Sequence, residues 1–133
     1  MKYILLMQFK VAGWEAGNMG TWPPEDINAN NDFLKRFQSE LTGSGELVGH
    51  QGLGGPETIT VVRARTDSAP VVTDGPFPES KEFLAGFWIV DVDGPERARE
   101  IAARLSGLPG PGGAPANIPI EVRPVMPYSS GDL

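Results

Sequence analysis

The stretch Phe83-Leu84-Ala85-Gly86-Phe87-Trp88-Ile89-Val90-Asp91-Val92 carries the strongest strand signal in this chain and decides its fold. Successive side chains of a strand point to opposite faces of a sheet, and here both alternating sets are largely apolar. Residues 2–9 have the same character, since Tyr3, Leu5 and Met7 alternate with Ile4 and Leu6. Two strands of this kind predict the centre of a β-sheet.

Two helical patterns lie between the predicted strands. Residues 24–42 are predicted to form a helix, because Pro24 suits a first turn and Gly43 favours a helix end. The apolar positions of this helix share one face: Ile27, Leu34, Phe37 and Leu41. A second helix is predicted after Asp93, which would form a capping box with Glu96, and Gly107 is expected to end it in a left-handed conformation. Its predicted buried stripe consists of Ala98, Ile101, Ala102 and Leu105.

Shorter strands complete the pattern. Residues 47–48 are expected to form a strand that leads into a glycine-rich turn at residues 49–55, and residues 58–65 to form the next strand. Residues 71–73 suggest a small hairpin arm, and residues 118–126 are predicted to form the final strand. These elements are expected to lie in one domain, residues 1–127, followed by a short tail, residues 128–133.

The order strand, helix, strand, strand, strand, helix, strand predicts the fold class. It favours an α+β, ferredoxin-like sandwich of the dimeric α+β barrel type, in which two helices cover one face of an antiparallel sheet. The alternative is a split β-α-β arrangement with a different strand order.

A homodimer follows from the apolar character of both sheet faces, because two helices can cover only one of them. Covering a few hundred Å² of apolar surface is worth several kcal/mol at about 25 cal/mol per Å², before the cost of association. We therefore expect a two-fold symmetric homodimer packed sheet to sheet, with a cleft at its rim. The alternative is that the loop at residues 107–118 folds over the second face.

Composition excludes several classes of function. The 133 residues contain no cysteine and one histidine, His50, so neither a thiolate-ligated metal, a thiol nucleophile nor a multi-histidine site is expected within one copy. The net charge of −6 disfavours nucleic acid and anionic membranes as partners. The short apolar run after Lys2 resembles a strand more than an export signal, so we expect a cytoplasmic protein. We also expect no membrane span. No cofactor is expected either.

The segment around Asp74 carries a family resemblance. Asp74-Gly75-Pro76-Phe77, followed by Glu79, Lys81, Glu82 and Gly86-Phe87, is similar to the YCII-related family, in particular its DGPF-motif branch. Three further stretches look like that branch in the same order: Met1-Lys2-Tyr3, Leu47-Val48-Gly49 with Gly52-Leu53, and Glu121-Val122-Arg123-Pro124-Val125-Met126. The resemblance implies a ferredoxin-like dimer but no settled activity, because most of the branch is uncharacterised.

The wider family implies one kind of chemistry. Some of its members are thought to use a His-Asp pair in a cleft, and one acts as a dehydrochlorinase on a chlorinated hydroxyquinol. The family's histidine lies on the first helix, where this chain has no histidine and carries Asn28, Asn30 and Asn31 instead. The resemblance therefore does not imply that this chain has the family's His-Asp pair.

Seven residues are the candidates for a functional site. His50 and Asp74 are the candidate catalytic residues, because the unperturbed pKa of a histidine side chain lies near neutrality and Asp74 could act as a base in a shielded cleft. The candidate binding residues are Lys81, Glu82, Glu121, Arg123 and Asn31. Each of these residues can also be explained without a functional role. His50 could lie in a surface loop, Asp74 could stabilise a turn, and Asn31 could belong to a solvated first turn of the helix. The other charged residues could form salt bridges.

Two functions follow from these candidates. The first is a dimer that binds a small organic molecule in a cleft and acts on it by proton transfer, as a lyase or isomerase would. The second is a non-catalytic binding or regulatory module with a protein partner, such as a sigma-factor system. A cavity of several hundred Å³ lined by Asp74 and His50 would favour the first, and mutually paired polar residues without a cavity the second.

Overall fold

The computed structural model of this chain describes residues 1–14 and 18–127. The expected tail at residues 128–133 lies outside these described residues. The strands and helices used below are, in chain order, β1 Lys2–Lys10, α1 Pro24–Gly43, β2 Leu47–Gly52, β3 Thr60–Arg63, β4 Val71–Asp74, β5 Glu82–Asp91, α2 Pro95–Ser106 and β6 Ile120–Pro124.

Four strands form one antiparallel sheet in the order β2-β5-β1-β6. The two strands predicted from their double-faced apolar pattern, β1 and β5, are the central pair. Both helices follow strands of this sheet, so the predicted α+β ferredoxin-like sandwich is confirmed. The predicted hairpin is also present: β3 and β4 pair with each other as a separate two-stranded sheet, called the arm below.

The core lies between the helices and one face of the sheet. On β1, the buried residues Tyr3, Leu5 and Met7 form this face, and Trp88 and Val90 continue it on β5. The predicted apolar stripes of the two helices pack against this sheet face. The helical residues buried in the core are Phe37, Leu41, Ala98, Ile101, Ala102 and Leu105. Alternation along the strands therefore turns the second set of apolar side chains away from both helices.

The opposite sheet face, called the helix-free face below, remains apolar and half-buried in the single chain. Its apolar side chains are Ile4, Leu6, Leu84, Phe87 and Ile89. The loop at residues 107–118 does not cover them, because its apolar residues Leu108, Ala116 and Ile118 pack on the helix side against the core. The alternative in which this loop replaces a second copy is thus excluded.

Several boundaries differ from the sequence-based expectations. The predicted capping box of Asp93 and Glu96 is wrong. Pro95 takes the first helical position of α2, so the N-cap residue is Gly94, which has no side chain to form a cap. Gly107 does end α2, but its φ of −83° is not left-handed. The strand expected at residues 58–65 is shorter, with a 3₁₀ turn at Pro56–Thr58 before β3. In the described residues, no helix is both long and apolar enough to cross a bilayer.

Candidate functional site

A cavity of about 490 Å³ lies on the helix side of the sheet, beneath the middle of α1 and the loop after α2. Its size falls within the range of about 300 to 1,000 Å³ that is usual for small-molecule sites. The described lining residues are Met7, Phe9, Trp14, Met19, Trp22, Asn30, Leu34, Gln38, His50, Gln51, Gly52, Leu53, Ala85, Gly86, Trp88, Leu108, Pro111, Ala116 and Ile118. Most of these side chains are apolar.

Two paired glycines form part of the cavity wall on the sheet. Gly52 of β2 lies opposite Gly86 of β5, and Gly86 lies opposite Met7 of β1. A Cβ on Gly86 would come within 3.1 Å of the Gln51 carbonyl oxygen, so the close approach of β2 favours glycine there. A Cβ on Gly52 would meet nothing within 4 Å. The missing side chains leave space that two ordinary strand residues would fill.

The outer wall is held by hydrogen bonds between α1 and the loop after α2. Asn30 is buried, and its Nδ2 donates to the Pro109 carbonyl oxygen at 2.9 Å. One turn earlier on the helix, Asp26 accepts a hydrogen bond from the Gly112 backbone N–H, also at 2.9 Å. These two contacts fix the loop over the cavity.

Tryptophan side chains form a distinctive part of the cavity wall. All three tryptophans of the chain, Trp14, Trp22 and Trp88, line the cavity. The indole nitrogens of Trp22 and Trp88 are buried without a hydrogen-bond partner among the described residues. Trp14 packs against Phe83 edge to face, with ring centroids 4.9 Å apart, and its ring lies 5.5 Å from that of Phe9, which also lines the cavity. Buried N–H groups normally have acceptors, so these two donors are exceptions among the described residues.

His50 is the one sequence-predicted site residue in the cavity wall. It lies in β2 opposite Trp88, whereas residues 49–55 were expected to form a turn around it. That expectation is wrong for residues 49–52, because the ladder with β5 holds a glycine-rich segment of low strand propensity in an extended conformation. In the described lining, His50 also carries the sole imidazole, the side chain that most often serves as a general acid or base.

The other predicted site residues lie elsewhere on the molecule. Asp74 ends β4 on the arm, opposite Thr60, and is exposed; the following Gly75 has a φ of +78°, which explains glycine at this turn. Lys81 and Glu82 are exposed at the start of β5, and the Lys81 backbone carbonyl accepts a hydrogen bond from Val11. None of these side chains lines the cavity.

The last strand and α1 carry the remaining candidates. Glu121 and Arg123 are exposed on β6 opposite Leu6 and Ile4, so they share the helix-free face. Glu121 accepts a 3.4 Å hydrogen bond from Gln8. Asn31 is exposed on α1, next to the buried Asn30.

Asn30 is the site residue that the candidate list missed. It falls on the helical stripe of Ile27, Leu34, Phe37 and Leu41 at the position three residues after Ile27. A polar residue on an apolar stripe is the signal that identifies it. Throughout residues 1–14 and 18–127, no three His, Cys, Asp or Glu side chains converge in a way that could hold a metal ion.

Comparison with known proteins gives a family and no activity. A sequence model of the YCII-related domain matches residues 1–108. An uncharacterised protein of Rhizobium meliloti (strain 1021) is 33% identical over 112 residues, which cover 84% of this chain and 86% of that protein. Any statement about function must therefore come from the chain's own residues.

Proposed function

This chain belongs to the YCII-related family, and we propose that it binds a small organic molecule in the cavity between its sheet and α1. The observation that carries the proposal is the cavity itself: about 490 Å³ of space, walled mainly by apolar side chains, with a few polar atoms at fixed places. This combination is typical of ligand sites. The assignment to the DGPF branch remains a proposal that rests on residues 74–77.

We propose His50 as the residue that exchanges a proton with the bound molecule. Its place in the wall, opposite Trp88, supports this role, and imidazole can act as acid or base near neutral pH. A lyase or isomerase type of reaction would need such a group. Asp74 does not line the cavity, so a role for it in that reaction stays a prediction.

We also propose that two copies pack through the helix-free face. Support comes from five apolar side chains on that face that stay half-buried while both helices lie on the other side. Substituting Ile89→Asp at the centre of the face should convert a dimer to a monomer in light scattering. The change Ser39→Asp, on the exposed side of α1, adds the same charge and should leave the dimer intact. A wild-type monomer at micromolar concentration would contradict the proposal.

A ligand titration with a matched pair of glycine variants tests the binding proposal. Gly52 and Gly49 lie on the same strand, and a Cβ at either position would meet nothing within 4 Å. Gly52→Val would place its side chain in the cavity, whereas Gly49→Val would not, since Gly49 pairs with Ile89 on the opposite face. In ligand-observed NMR with small aromatic compounds such as acetophenone, binding should survive in Gly49→Val and disappear in Gly52→Val. Equal binding by both variants would contradict a site in this cavity.

A non-catalytic module with a protein partner, such as a sigma-factor system, is the second candidate. The arm favours it, because Val62 and Val72 are paired across its two strands and are 62% and 61% exposed. Adjacent exposed valines on a projecting hairpin suit a protein contact. Wild-type protein that binds no compound in the NMR titration would favour this candidate over the first.

A further inference from the structure

The residues that line the cavity include a buried group and an exposed group. The exposed group contains four consecutive residues, 50–53, at the end of β2, which is an edge strand of the sheet. These four residues are called the rim below. The buried group, called the floor, comes from the central strands, α1 and the loop after α2: Met7, Gly86, Trp88, Asn30 and Leu108. The cavity therefore extends from solvent at the edge of the sheet into the interior of the fold.

The floor offers little to a polar group of a ligand. Apart from the Trp88 indole, Asn30 is its one side chain with polar atoms, and the Nδ2 of Asn30 already donates to the Pro109 carbonyl oxygen at 2.9 Å. The indole nitrogen of Trp88 is itself buried, so a ligand atom in the cavity cannot reach it. A hydroxyl or carboxylate brought to the floor would therefore lose its water without an equivalent replacement.

The rim carries a hydrogen-bonding side chain, His50. This residue is exposed and lies opposite Trp88 in the ladder between β2 and β5, so both side chains are on the same face of the sheet. An imidazole can both donate and accept hydrogen bonds. Among the described lining residues there is no Asp, Glu, Lys or Arg that would offer a fixed charge to an ion. A neutral polar group at the rim can thus reach His50 and keep its contact with water.

We infer that the cavity takes a neutral molecule with an apolar body and one polar end, bound with the apolar end on the floor and the polar end beside His50. This inference rests on the proposed function, because it specifies the ligand class and the direction of binding in the same cavity. It follows from the burial of the floor and the exposure of the rim. The polar end is then the part of the molecule within reach of the imidazole.

Two para-substituted ketones test the apolar floor. The compounds 4-methylacetophenone and 4-hydroxyacetophenone have the same ketone at one end and differ at the other end by a methyl or a hydroxyl group of similar size. With the ketone at the rim, this second group lies on the floor. Titrated into ¹⁵N-labelled protein, 4-methylacetophenone should bind at least about tenfold more tightly, because the hydroxyl loses its water there.

Charge variants at the rim test the direction of binding. The probe is 4-methylbenzoate, which carries its charge at the end that should lie beside His50. Its affinity for His50→Lys should exceed its affinity for His50→Glu by at least about fivefold, whereas 4-methylacetophenone should bind the two variants alike. Thr60→Lys and Thr60→Glu are the control pair, since Thr60 is exposed on the arm and does not line the cavity. These two variants should differ by less than about twofold.

The outcomes separate this inference from the proposed function. Equal or tighter binding of 4-hydroxyacetophenone, with shifts at cavity residues, would overturn the inference and leave the proposed binding site in place. Equal binding of 4-methylbenzoate by the two His50 variants, or no binding by His50→Lys, would overturn it in the same way. If none of the three compounds shifts any cavity residue, both the inference and the binding site fail.

Discussion

Replacing Asn30 by alanine should loosen the loop that closes the cavity. The Asn30 side chain is buried, and its Nδ2 donates to the Pro109 carbonyl oxygen at 2.9 Å across the gap between α1 and the loop. Alanine suits a helix interior better than asparagine, so any loss of stability would come from the lost contact and not from the helix itself.

The size of the effect follows from that single contact. A buried neutral hydrogen bond contributes about 1 kcal/mol, and a carbonyl left without its donor adds a cost on the order of 1 kcal/mol. The sum of about 2 kcal/mol corresponds to a fall in Tm of about 7 °C for a chain of this length. Loss of the contact should also weaken ligand binding, because the same loop forms the outer wall.

Thermal unfolding of matched neighbours measures this effect. Asn31→Ala removes the same side chain from the next position of the helix, where it is exposed, and should change Tm by less than about 2 °C. Amide hydrogen exchange at residues 108–116 should rise in Asn30→Ala and stay unchanged in Asn31→Ala. Equal stability of the two variants would refute the account of how the cavity is closed.

Two further predictions concern parts of the fold outside the cavity. The Arg97 guanidinium binds both Glu46 carboxylate oxygens, at 2.8 and 2.9 Å, and lowers the pKa of Glu46 from its ordinary 4.5 to about 2. Because the folded pKa is the lower one, this stabilisation should be complete above pH 4.5 and lost as pH falls towards 2. Arg97 is 40% exposed, so water weakens this ion pair. In urea unfolding at pH 7, Glu46→Gln should lower the free energy of unfolding by about 1–2 kcal/mol, and at pH 3 by less. The control Glu100→Gln should lower it by less than about 0.5 kcal/mol. Gly75→Ala should lower the free energy of unfolding by about 1–2 kcal/mol, because Gly75 has a positive φ. Gly43→Ala in α1 is the control and should be neutral or stabilising. Equal losses of stability in the two variants would contradict the role given to the Gly75 turn.

The central strands and helix stripes could be predicted because their signals are local. The apolar alternation of residues 83–92 placed β5 within one residue at each end, and all four members of the α2 stripe are buried. These patterns reflect burial, which side-chain type determines directly. The fold class followed from their order.

The site was harder to predict because it depends on contacts between distant parts of the chain. His50 lies in a strand only because β2 pairs with β5, and the glycines around it carry little strand propensity of their own. Part of the cavity wall is formed by the pair of Gly52 and Gly86, which sequence spacing does not reveal. Asn30 differs from Asn31 by one position, and only the helical period distinguishes the buried residue from the exposed one.

A crystal structure with 4-iodoacetophenone would test the central claim most directly, since the anomalous signal of iodine locates the molecule without assumptions about its pose. The account predicts an iodine peak inside the space bounded by Gly52, Gly86 and α1. An ordered iodine found only outside this space, or side chains of the protein filling it, would contradict the account.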